Sequence, residues 1–300
     1  MIKRLMDSEL ILNSDGSIYH LNLLPEDIAD TIILVGDPNR VKQVSKYFDR
    51  IDVQKTKREF LAHTGNIGSQ RISVVGTGIG AGNIDITMSE LDALVNIDLK
   101  NRVVKEAQRK LRFIRLGTSG SLQHDIPVDH LSISSYGIGM DGLMLYYDWE
   151  NTANEKKLLN RCREKFSSIP IVNAMYVASG AHTLIELFQK REIGFLGMTL
   201  TCPGFYGAQN RQLRAPLANP EMFSIARELS FENQRITNLE METAAIYGMA
   251  RLLGHDACSI SAIIANRSTQ TFSTDPDKTI DEMIQRVLGV LCESCDAVQL

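Results

Sequence analysis

The sequence predicts an α/β fold, and two observations support that prediction. Three short apolar runs, rich in β-branched residues, each stop at a glycine, as is typical of strands buried on both faces. Helical periodicity follows the first two runs, and strands that alternate with helices indicate helices packed on a central sheet. No Pro/Gly/Ser-rich linker divides the chain. We therefore expect a single-domain three-layer α/β/α fold with a central mixed β-sheet over residues 1–300, in which residues 1–18 form an N-terminal extension.

Three strand–loop units organise the first half of the chain. The predicted strands and their Gly-rich loops are 31–35 with 36–40, 71–75 with 76–80, and 113–116 with 117–120. A short helix is expected after the first loop, with Pro38 near its start, where proline is tolerated. An apolar stripe at helical spacing from Ile84 to Val95 predicts a longer helix after the second loop.

The second half of the chain repeats the alternation of strands and helices. Strands are predicted at 131–134 and 259–265, and a further strand could begin at 171–172. Helices are predicted at 183–190, 240–253 and 275–295, the last of them amphipathic. The highly charged stretch 98–112 is compatible with a helix, and we expect it to be a solvated helix extension.

Composition narrows the classes of function. A formal net charge of −4 argues against a nucleic-acid-binding surface, which normally carries a basic excess. The N-terminus has no apolar leader segment, and no stretch approaches the ~18 apolar residues that a membrane-spanning helix needs. We expect a soluble cytoplasmic protein that has neither a nucleic-acid partner nor a membrane partner.

The cysteines and histidines do not predict a disulfide framework or a metal site. The five cysteines are scattered, and their odd count does not suit a set of paired disulfides. Cys292 and Cys295 form a C-x-x-C motif, but it ends a predicted helix and does not follow a strand as redox motifs do. The six histidines form no cluster with metal-ligand spacing, so we expect no bound metal.

The Gly-rich loops predict an anion site. Ligands of open α/β sheets bind at the carboxyl ends of the strands, where glycines such as Gly36 let the backbone approach an anion. Arg40 and Arg115 flank two of the loops and could donate paired hydrogen bonds to phosphate oxygens, and Thr118 offers a hydroxyl. The loops have neither the P-loop nor the dinucleotide-binding spacing. Alone they indicate an anion-binding α/β protein.

Together, the motifs resemble those of the nucleoside phosphorylase family, from about residue 19 to the last helix. Residues 36–40, Gly-Asp-Pro-Asn-Arg, resemble the phosphate loop of the family, and Arg58-Glu59-Phe60 resembles a segment whose arginine reaches a neighbouring subunit's phosphate. Residues 115–120 resemble the loop that binds phosphate and ribose. Residues 239–244 resemble a helix start where methionine packs on the sugar.

The resemblance implies a role for each of these side chains. The implied phosphate ligands are Gly36, Arg40, Arg115, Thr118 and, from a partner subunit, Arg58. The implied ribose ligands are Thr118, Glu240, Met241, Glu242 and, again from a partner, His20. The implied catalytic set is Arg40, Arg115, Thr118, Gln209 and Arg211.

Residues 205–211, Phe-Tyr-Gly-Ala-Gln-Asn-Arg, resemble the base-binding segment of family members that act on uridine. The chemistry agrees, because one edge of uracil presents a carbonyl, an N–H and a second carbonyl. The amide of Gln209 supplies both a donor and an acceptor, and Arg211 supplies donors only. Phe205 completes the implied base site, and Arg267 is implied to hold Gln209 and Arg211. Purine-cleaving relatives use an aspartate to protonate the leaving base, in the strand-end loop that Asn266 and Arg267 occupy here.

The resemblance implies phosphorolysis of uridine to uracil and ribose 1-phosphate, a step of pyrimidine salvage, with inorganic phosphate as co-substrate and no organic cofactor. Deoxyuridine and thymidine remain open as substrates. The implied catalytic unit is a homodimer with shared sites, which could assemble into a hexamer. A monovalent-cation site near Glu59 stays open, since Asn83 stands where relatives often have serine. The alternatives are a purine nucleoside phosphorylase or nucleosidase on the same scaffold, and a non-catalytic nucleoside-binding protein.

Overall fold

A mixed sheet organises the computed structural model, which describes residues 4–296 and their side chains up to residue 293. The strands are β1 (Thr31–Val35), β2 (Arg50–Lys57), β3 (Phe60–Ile67), β4 (Gln70–Gly76), β5 (Ile97–Asp98), β6 (Val103–Val104), β7 (Arg112–Ser121), β8 (Leu131–Gly139), β9 (Tyr176–Ser179), β10 (Phe195–Thr201), β11 (Ser230–Phe231), β12 (Gln234–Glu240), β13 (Asp256–Asn266) and β14 (Thr271–Phe272). The helices are α1 (Pro38–Ser45), α2 (Ala81–Asn96), α3 (Ala153–Lys165), α4 (His182–Lys190), α5 (Met222–Glu228), α6 (Thr243–Leu252) and α7 (Pro276–Asp296).

The predicted α/β class and the mixed sheet are confirmed. Within the described residues, all strands except β5 and β6 join one sheet, whose main path runs β11-β12-β10-β8-β13-β7-β1-β4-β3-β2. β1 lies parallel to both β4 and β7, while β3 is antiparallel to β4 and β8 is antiparallel to β13. Alternate β1 residues face two cores, because Ile32 and Leu34 pack with α2 and α6, and Ile33 and Val35 pack with α1, α4 and α7.

Five strands close into a ring, and the closure positions the site. β12 pairs with β10 on one side and, through Asn238 and Leu239, with the end of β7 on the other. The ring is completed by the pairing of β7 with β13, β13 with β8, and β8 with β10. Residues 239–242 therefore lie beside residues 115–120 although more than a hundred positions separate them in sequence.

Two predicted boundaries in this region are wrong. Residues 117–120 are not a loop, because β7 continues to Ser121 and pairs with β13 along its length. The helix predicted from residue 240 begins at Thr243, and Glu240 ends a strand, β12, that was not predicted. In both places, partners distant in sequence hold the chain extended against its local pattern.

The prediction of a helix over residues 98–112 is also wrong. α2 ends at Asn96, and the short antiparallel pair β5 and β6 follows. Arg102 adopts a left-handed conformation with φ of 57° and donates to the backbone oxygen of Leu10. Arg109 pairs with Asp30. These charges bind neighbouring segments of the protein, so they do not form the solvated helix face that the pattern suggested.

The other predicted elements are present with one exception, and β2, β3, β9, β10, α3 and α5 were not predicted from the sequence. Residues 170–174 form a 3-10 helix, so the strand predicted at 171–172 is absent. Pro38 occupies the first turn of α1, and the predicted helices at 183–190 and 275–295 are present as α4 and α7. Cys292 lies in α7, while the side chain of Cys295 falls outside the described residues. None of the described helices is both long enough and apolar enough to cross a membrane.

Candidate active site

A cavity of about 720 Å³ opens where β1, β4, β7, β12 and β13 end. It brings together ten of the residues that the sequence singled out, namely Gly36, Arg40, Arg115, Thr118, Phe205, Gln209, Arg211, Glu240, Met241 and Glu242. Ring closure of the sheet and the parallel order of β4, β1 and β7 explain why these distant segments meet. Three predicted site residues, His20, Arg58 and Arg267, do not line it.

Arg40, on α1, supplies a positive charge at one end of the cavity. Arg40 is only 8% exposed, and its guanidinium donates a hydrogen bond to the backbone oxygen of Leu116 at 3.3 Å. Within the described part of the chain no carboxylate pairs with it, and its Nε has no hydrogen-bond partner. Burial lowers the pKa of Arg40, and the charge of Arg115 lowers it further. A buried cation without a counter-ion favours binding of an anion.

Arg115 is the second buried cation, and it is held by two carboxylates. Its Nη2 lies 2.9 Å from Glu240 and 2.6 Å from Glu242, and its Nη1 donates to Ser261 at 3.2 Å. Burial alone would lower the pKa of Arg115, but the two carboxylates outweigh burial and raise it. The guanidinium folds back over Gly117, where a Cβ atom would lie 1.8 Å from Nη1. Any side chain at position 117 would therefore displace the Arg115 guanidinium from its present place.

Glu242 lines the cavity and contacts both Arg115 and the second Gly-rich loop. One of its oxygens accepts from the backbone N–H of Gly80 at 2.7 Å, and the other accepts from Arg115. Gly80 has φ of 91° at the start of α2, so its N–H turns toward Glu242. Burial raises the pKa of Glu242, and Arg115 opposes that shift. The carboxylate thus ties the second Gly-rich loop to β7.

Glu240 has a structural role, because both of its side-chain oxygens accept hydrogen bonds from other groups of the protein. One oxygen accepts from the hydroxyl of Thr201 at 2.7 Å, and the other accepts from the backbone N–H groups of Glu242 and Thr243 at 2.9 Å. The second oxygen also pairs with Arg115. Glu240 therefore satisfies the start of α6 and fixes Arg115 at the same time.

Gln209, Arg211 and Phe205 form the opposite end of the cavity. Gln209 is 2% exposed, and its side-chain oxygen accepts a hydrogen bond from Nη1 of Arg211. The Arg211 guanidinium stacks over the Phe205 ring at 3.9 Å and donates to the Phe205 backbone oxygen. Burial, with Arg267 adding to it, lowers the pKa of Arg211 to about 10. The three side chains form one preorganised unit with donors facing the cavity.

Arg267 supports this unit by holding the backbone of the turn that carries Gln209. Its guanidinium donates to the backbone oxygens of Gln209 at 2.9 Å and of Asn210 at 3.2 Å. Asn210 sits in a left-handed conformation with φ of 58°, which ends the short turn that carries Gln209. Arg267 thus contacts the backbone of the base-side turn and does not reach into the cavity.

Both the NH2 group and the oxygen of the Asn266 side-chain amide form hydrogen bonds with backbone groups. Its Nδ2 donates to the backbone oxygens of Gln123 and Ile126, both at 2.8 Å. Its Oδ1 accepts from the N–H groups of Ser268 and Thr269, both at 2.9 Å. The residue is 1% exposed. Asn266 closes a turn, and its amide is not directed at the cavity.

His20 and Arg58 lie on a limb beside the cavity, which we define as residues 19–20 together with the turn at residues 57–60. Arg58 is exposed at that turn with φ of 53°, and it donates to the hydroxyl of Tyr19 at 3.4 Å. Glu59, between Arg58 and Phe60, lines the cavity rim. Neither His20 nor Arg58 reaches this chain's own cavity.

Phe272 was missed by sequence reasoning. It lies on β14, lines the mouth of the cavity and is 63% exposed. The available signal was a single aromatic residue in the polar stretch that follows Arg267, and that signal is weak. Among the described residues, no group of three or more His, Cys, Asp or Glu side chains is arranged to hold a metal ion.

Comparison with known proteins finds a family model and relatives that agree with one another. A model of the phosphorylase superfamily matches residues 30–295. A uridine phosphorylase from Thermococcus kodakarensis is 27% identical over 296 residues, which cover 98% of this chain and 93% of the relative. A DeoD-type purine nucleoside phosphorylase from Streptococcus suis is 26% identical over 277 residues, covering 91% and 98%.

A solved structure agrees with this chain over nearly its full length. It is a nucleoside phosphorylase from Trypanosoma brucei, described as showing uridine phosphorylase activity. The TM-score is 0.85 at 26% identity, with 95% of this chain and 99% of that chain covered. The residues that line the cavity all fall within the range matched by the family model.

Proposed function

The chain belongs to the phosphorylase superfamily, and from this premise we propose that it catalyses the phosphorolysis of uridine to uracil and ribose 1-phosphate. One observation carries the proposal: the same cavity is lined by a buried arginine, Arg40, that has no carboxylate partner among the described residues, and by the Gln209–Arg211 pair. Arg40 suits an inorganic anion, and the pair suits a uracil edge. The names of the uridine phosphorylase relatives support the same reading.

Inorganic phosphate is the proposed co-substrate, and no organic cofactor takes part. Arg40 and Arg115 supply charge-assisted donors, while the backbone at Gly36 and the hydroxyl of Thr118 complete the site. Phosphate bound there lies beneath the anomeric carbon of the sugar. Its negative charge stabilises the positive charge that develops on the sugar as the glycosidic bond lengthens.

The leaving base needs the opposite charge stabilisation. As the bond breaks, negative charge accumulates on the uracil oxygens, and the donors of Arg211 and Gln209 stand ready at that edge. Because Arg211 already holds the side-chain oxygen of Gln209, the amide is oriented before substrate binds. This preorganisation reduces the reorganisation needed in the transition state.

The sugar is bound between these two ends. Met241 and Glu242 line the cavity between Arg115 and the base side, and Thr118 faces it from β7. We assign packing against the ribose to Met241 and hydrogen bonding of ribose hydroxyls to Glu242 and Thr118. Glu240 acts through Arg115 and the start of α6, so its effect on the ribose is one of positioning.

The catalytic unit in this proposal is a homodimer, which could assemble further into a hexamer. His20 and Arg58 lie on the limb and outside their own cavity, so a second copy would have to receive them. His20 would then bind the 5′-hydroxyl and Arg58 the phosphate of the partner's site. We further propose a cytoplasmic enzyme of pyrimidine salvage.

A purine nucleoside phosphorylase is the second candidate, since DeoD-type relatives match with similar identity. The loop formed by Asn266 and Arg267 argues against this candidate. All four hydrogen bonds of the Asn266 amide go to backbone groups, and Arg267 donates to the backbone of the turn that carries Gln209, so this loop offers no carboxylic acid to a purine leaving group. Gln209 and Arg211, in contrast, match the edge of a pyrimidine.

One assay separates the candidates. Uridine, deoxyuridine, thymidine, inosine and adenosine are incubated with the purified protein with and without phosphate, and base release is followed by absorbance. We expect uridine cleavage that depends on phosphate. Cleavage without phosphate would identify a nucleosidase, faster cleavage of inosine or adenosine would identify a purine enzyme, and binding without cleavage would identify a non-catalytic protein.

A further inference from the structure

The His20 ring lies in a small cluster outside the cavity. It meets the Tyr19 ring edge-on, with centroids 4.8 Å apart, and approaches the Phe60 ring at 6.3 Å. Lys57 stands over the Tyr19 ring and donates to the Tyr19 backbone oxygen. The segment that carries His20 is therefore packed against the turn at residues 57–60.

One carboxylate from α2 fixes both the backbone and the ring of His20. Glu90 accepts hydrogen bonds from the backbone N–H groups of His20, at 2.9 and 3.0 Å, and of Leu21, at 2.8 Å. It also lies 2.6 Å from Nδ1 of the His20 ring. The backbone bonds alone would anchor the segment to α2, so the ring contact is an additional constraint on the imidazole.

The contact also sets the chemical form of the ring. An ionised carboxylate can only accept, so Nδ1 of His20 must carry the proton. In the neutral ring, Nε2 is then left with its lone pair and acts as an acceptor. No described residue forms a hydrogen bond with Nε2, and the His20 side chain is 25% exposed against 13% for Glu90. The partly exposed ring therefore has one nitrogen, Nε2, that can accept a hydrogen bond from a group outside the described residues.

We propose that Glu90 is a positioning residue, which holds His20 so that Nε2 accepts a hydrogen bond from the 5′-hydroxyl of a nucleoside in the cavity of a second copy of this chain. This inference rests on the proposed function and on its shared site. Without the carboxylate, the ring can rotate and adopt the other tautomer, in which Nε2 carries a proton and no longer accepts. Glu90 acts through His20 and does not touch the substrate.

The test compares uridine with 5′-deoxyuridine, which lacks the hydroxyl in question. The variants are Glu90→Gln, His20→Ala and the double variant. In Glu90→Gln, the amide oxygen replaces the carboxylate oxygen that accepts from the backbone N–H groups of His20 and Leu21, and the amide NH2 group then faces Nδ1, which favours the tautomer with the proton on Nε2. We expect Glu90→Gln and His20→Ala each to lower kcat/KM for uridine about tenfold, the effect of one hydrogen bond, and to change 5′-deoxyuridine little. The double variant should show no further loss, because both changes remove the same interaction.

Glu186→Gln is the matched control, because Glu186 faces His182 at 3.8 Å on the exposed side of α4. It should leave both substrates unchanged. Nitrogen NMR of the His20 ring gives a second measurement, and we expect the Nδ1-protonated tautomer in the parent protein and its loss in Glu90→Gln.

The possible results separate three claims, namely the positioning role of Glu90, the shared site and the proposed function. Equal losses for both nucleosides in Glu90→Gln would overturn the inference, since they would indicate a purely structural role. So would a selective loss in His20→Ala that Glu90→Gln does not share. A His20→Ala variant that loses nothing would overturn the shared site, and a parent protein that cleaves no uridine would overturn the proposed function.

Discussion

Arg40 and Arg115 are neighbouring buried cations that the protein holds in opposite ways. Arg115 has two carboxylates and a hydroxyl around it, and they raise its pKa. Arg40 has a single backbone acceptor and no carboxylate partner within the described part of the chain. Desolvation of an uncompensated charge costs several kcal/mol. The binding of phosphate would offset this cost at Arg40, whereas Arg115 stays charged and already has two carboxylate partners that orient its guanidinium before phosphate binds.

At the base end, we expect Arg211→Ala to lower kcat/KM for uridine by about 100- to 1000-fold, as for other preorganised donors of a charged transition state. Most of the loss should fall on kcat, because the charge on uracil develops only as the bond breaks. Steady-state kinetics on purified protein measure the effect. Arg214→Ala is the control, since Arg214 is exposed three residues away. Unchanged uridine turnover in Arg211→Ala would refute the role assigned to this residue.

At the phosphate end, Gly117→Ala tests the close approach of Arg115. The added Cβ would overlap Nη1, so the guanidinium must leave Glu240 and Glu242. We expect a loss of stability of about 3 kcal/mol, because a buried ion pair is broken, together with a strong loss of activity. Denaturant unfolding and kinetics measure both. Gly289→Ala, in α7 with open space around it, should be neutral or slightly stabilising. Equal behaviour of the two variants would contradict the packing argument.

At the level of elements, the N-terminal extension and the stretch at 98–112 hold each other in place through hydrogen bonds. The backbone N–H of Leu5 donates to Arg102, and the Arg102 side chain returns a hydrogen bond to Leu10. Leu10 and Ile18 are buried in the core beside α2 and α6. Lys57, next to Arg58, also donates to Asn13. The extension thus packs on β5 and β6 and reaches the turn that carries Arg58.

We expect Arg102→Ala to release the extension from β5 and β6. The loss of a charged hydrogen bond to Leu10 should lower the free energy of unfolding by about 2 kcal/mol. Amide hydrogen exchange should speed up at Leu5 and Leu10 before the rest of the protein changes. Lys100→Ala, on the exposed side of the same stretch, is the control. Unaltered exchange at Leu5 in Arg102→Ala would show that other contacts hold the extension.

At the scale of the whole molecule, the sheet assembles one cavity from segments between residues 36 and 272. The strand ring that includes β7 and β12 joins the loops proposed to hold phosphate to the segments proposed to bind the sugar and the base. The limb with His20 and Arg58 remains outside, beside the rim at Glu59. A complete site, in the sense of the proposed function, therefore requires a second copy of the chain.

Co-expression of Arg58→Ala and Arg211→Ala subunits tests this requirement. Each variant alone should be poorly active. In a mixed dimer, one site receives an intact Arg58 from its partner and keeps its own Arg211, so random pairing should restore about a quarter of the parental sites. Kinetics and sedimentation on the purified mixture measure the recovery. Activity no greater than the average of the two separate variants would mean that sites are not shared.

Local sequence patterns could predict the alternation of strands and helices and the end of β1 at a Gly-rich loop. Apolar periodicity and the backbone freedom of glycine influence the conformation of only the few residues around them, so both can be recognised in a short stretch of sequence. They failed for residues 98–112 and 117–120, where the partners lie far along the chain. Arg102 is held by Leu10, and Gly117 is held extended by Ser261. The charge pattern and the glycines could not reveal these contacts.

The class of fold follows from sequence patterns alone, and the order of the motifs indicates the residues that form the cavity. The partners of each of these residues depend on tertiary contacts. Among the described residues, Arg40 has no counter-ion, Arg115 lies between two glutamates, and His20 is held by Glu90. The contacts of Arg115 and His20 join residues 70 to 127 positions apart, so they depend on the packing of distant segments and on burial, which no local pattern encodes.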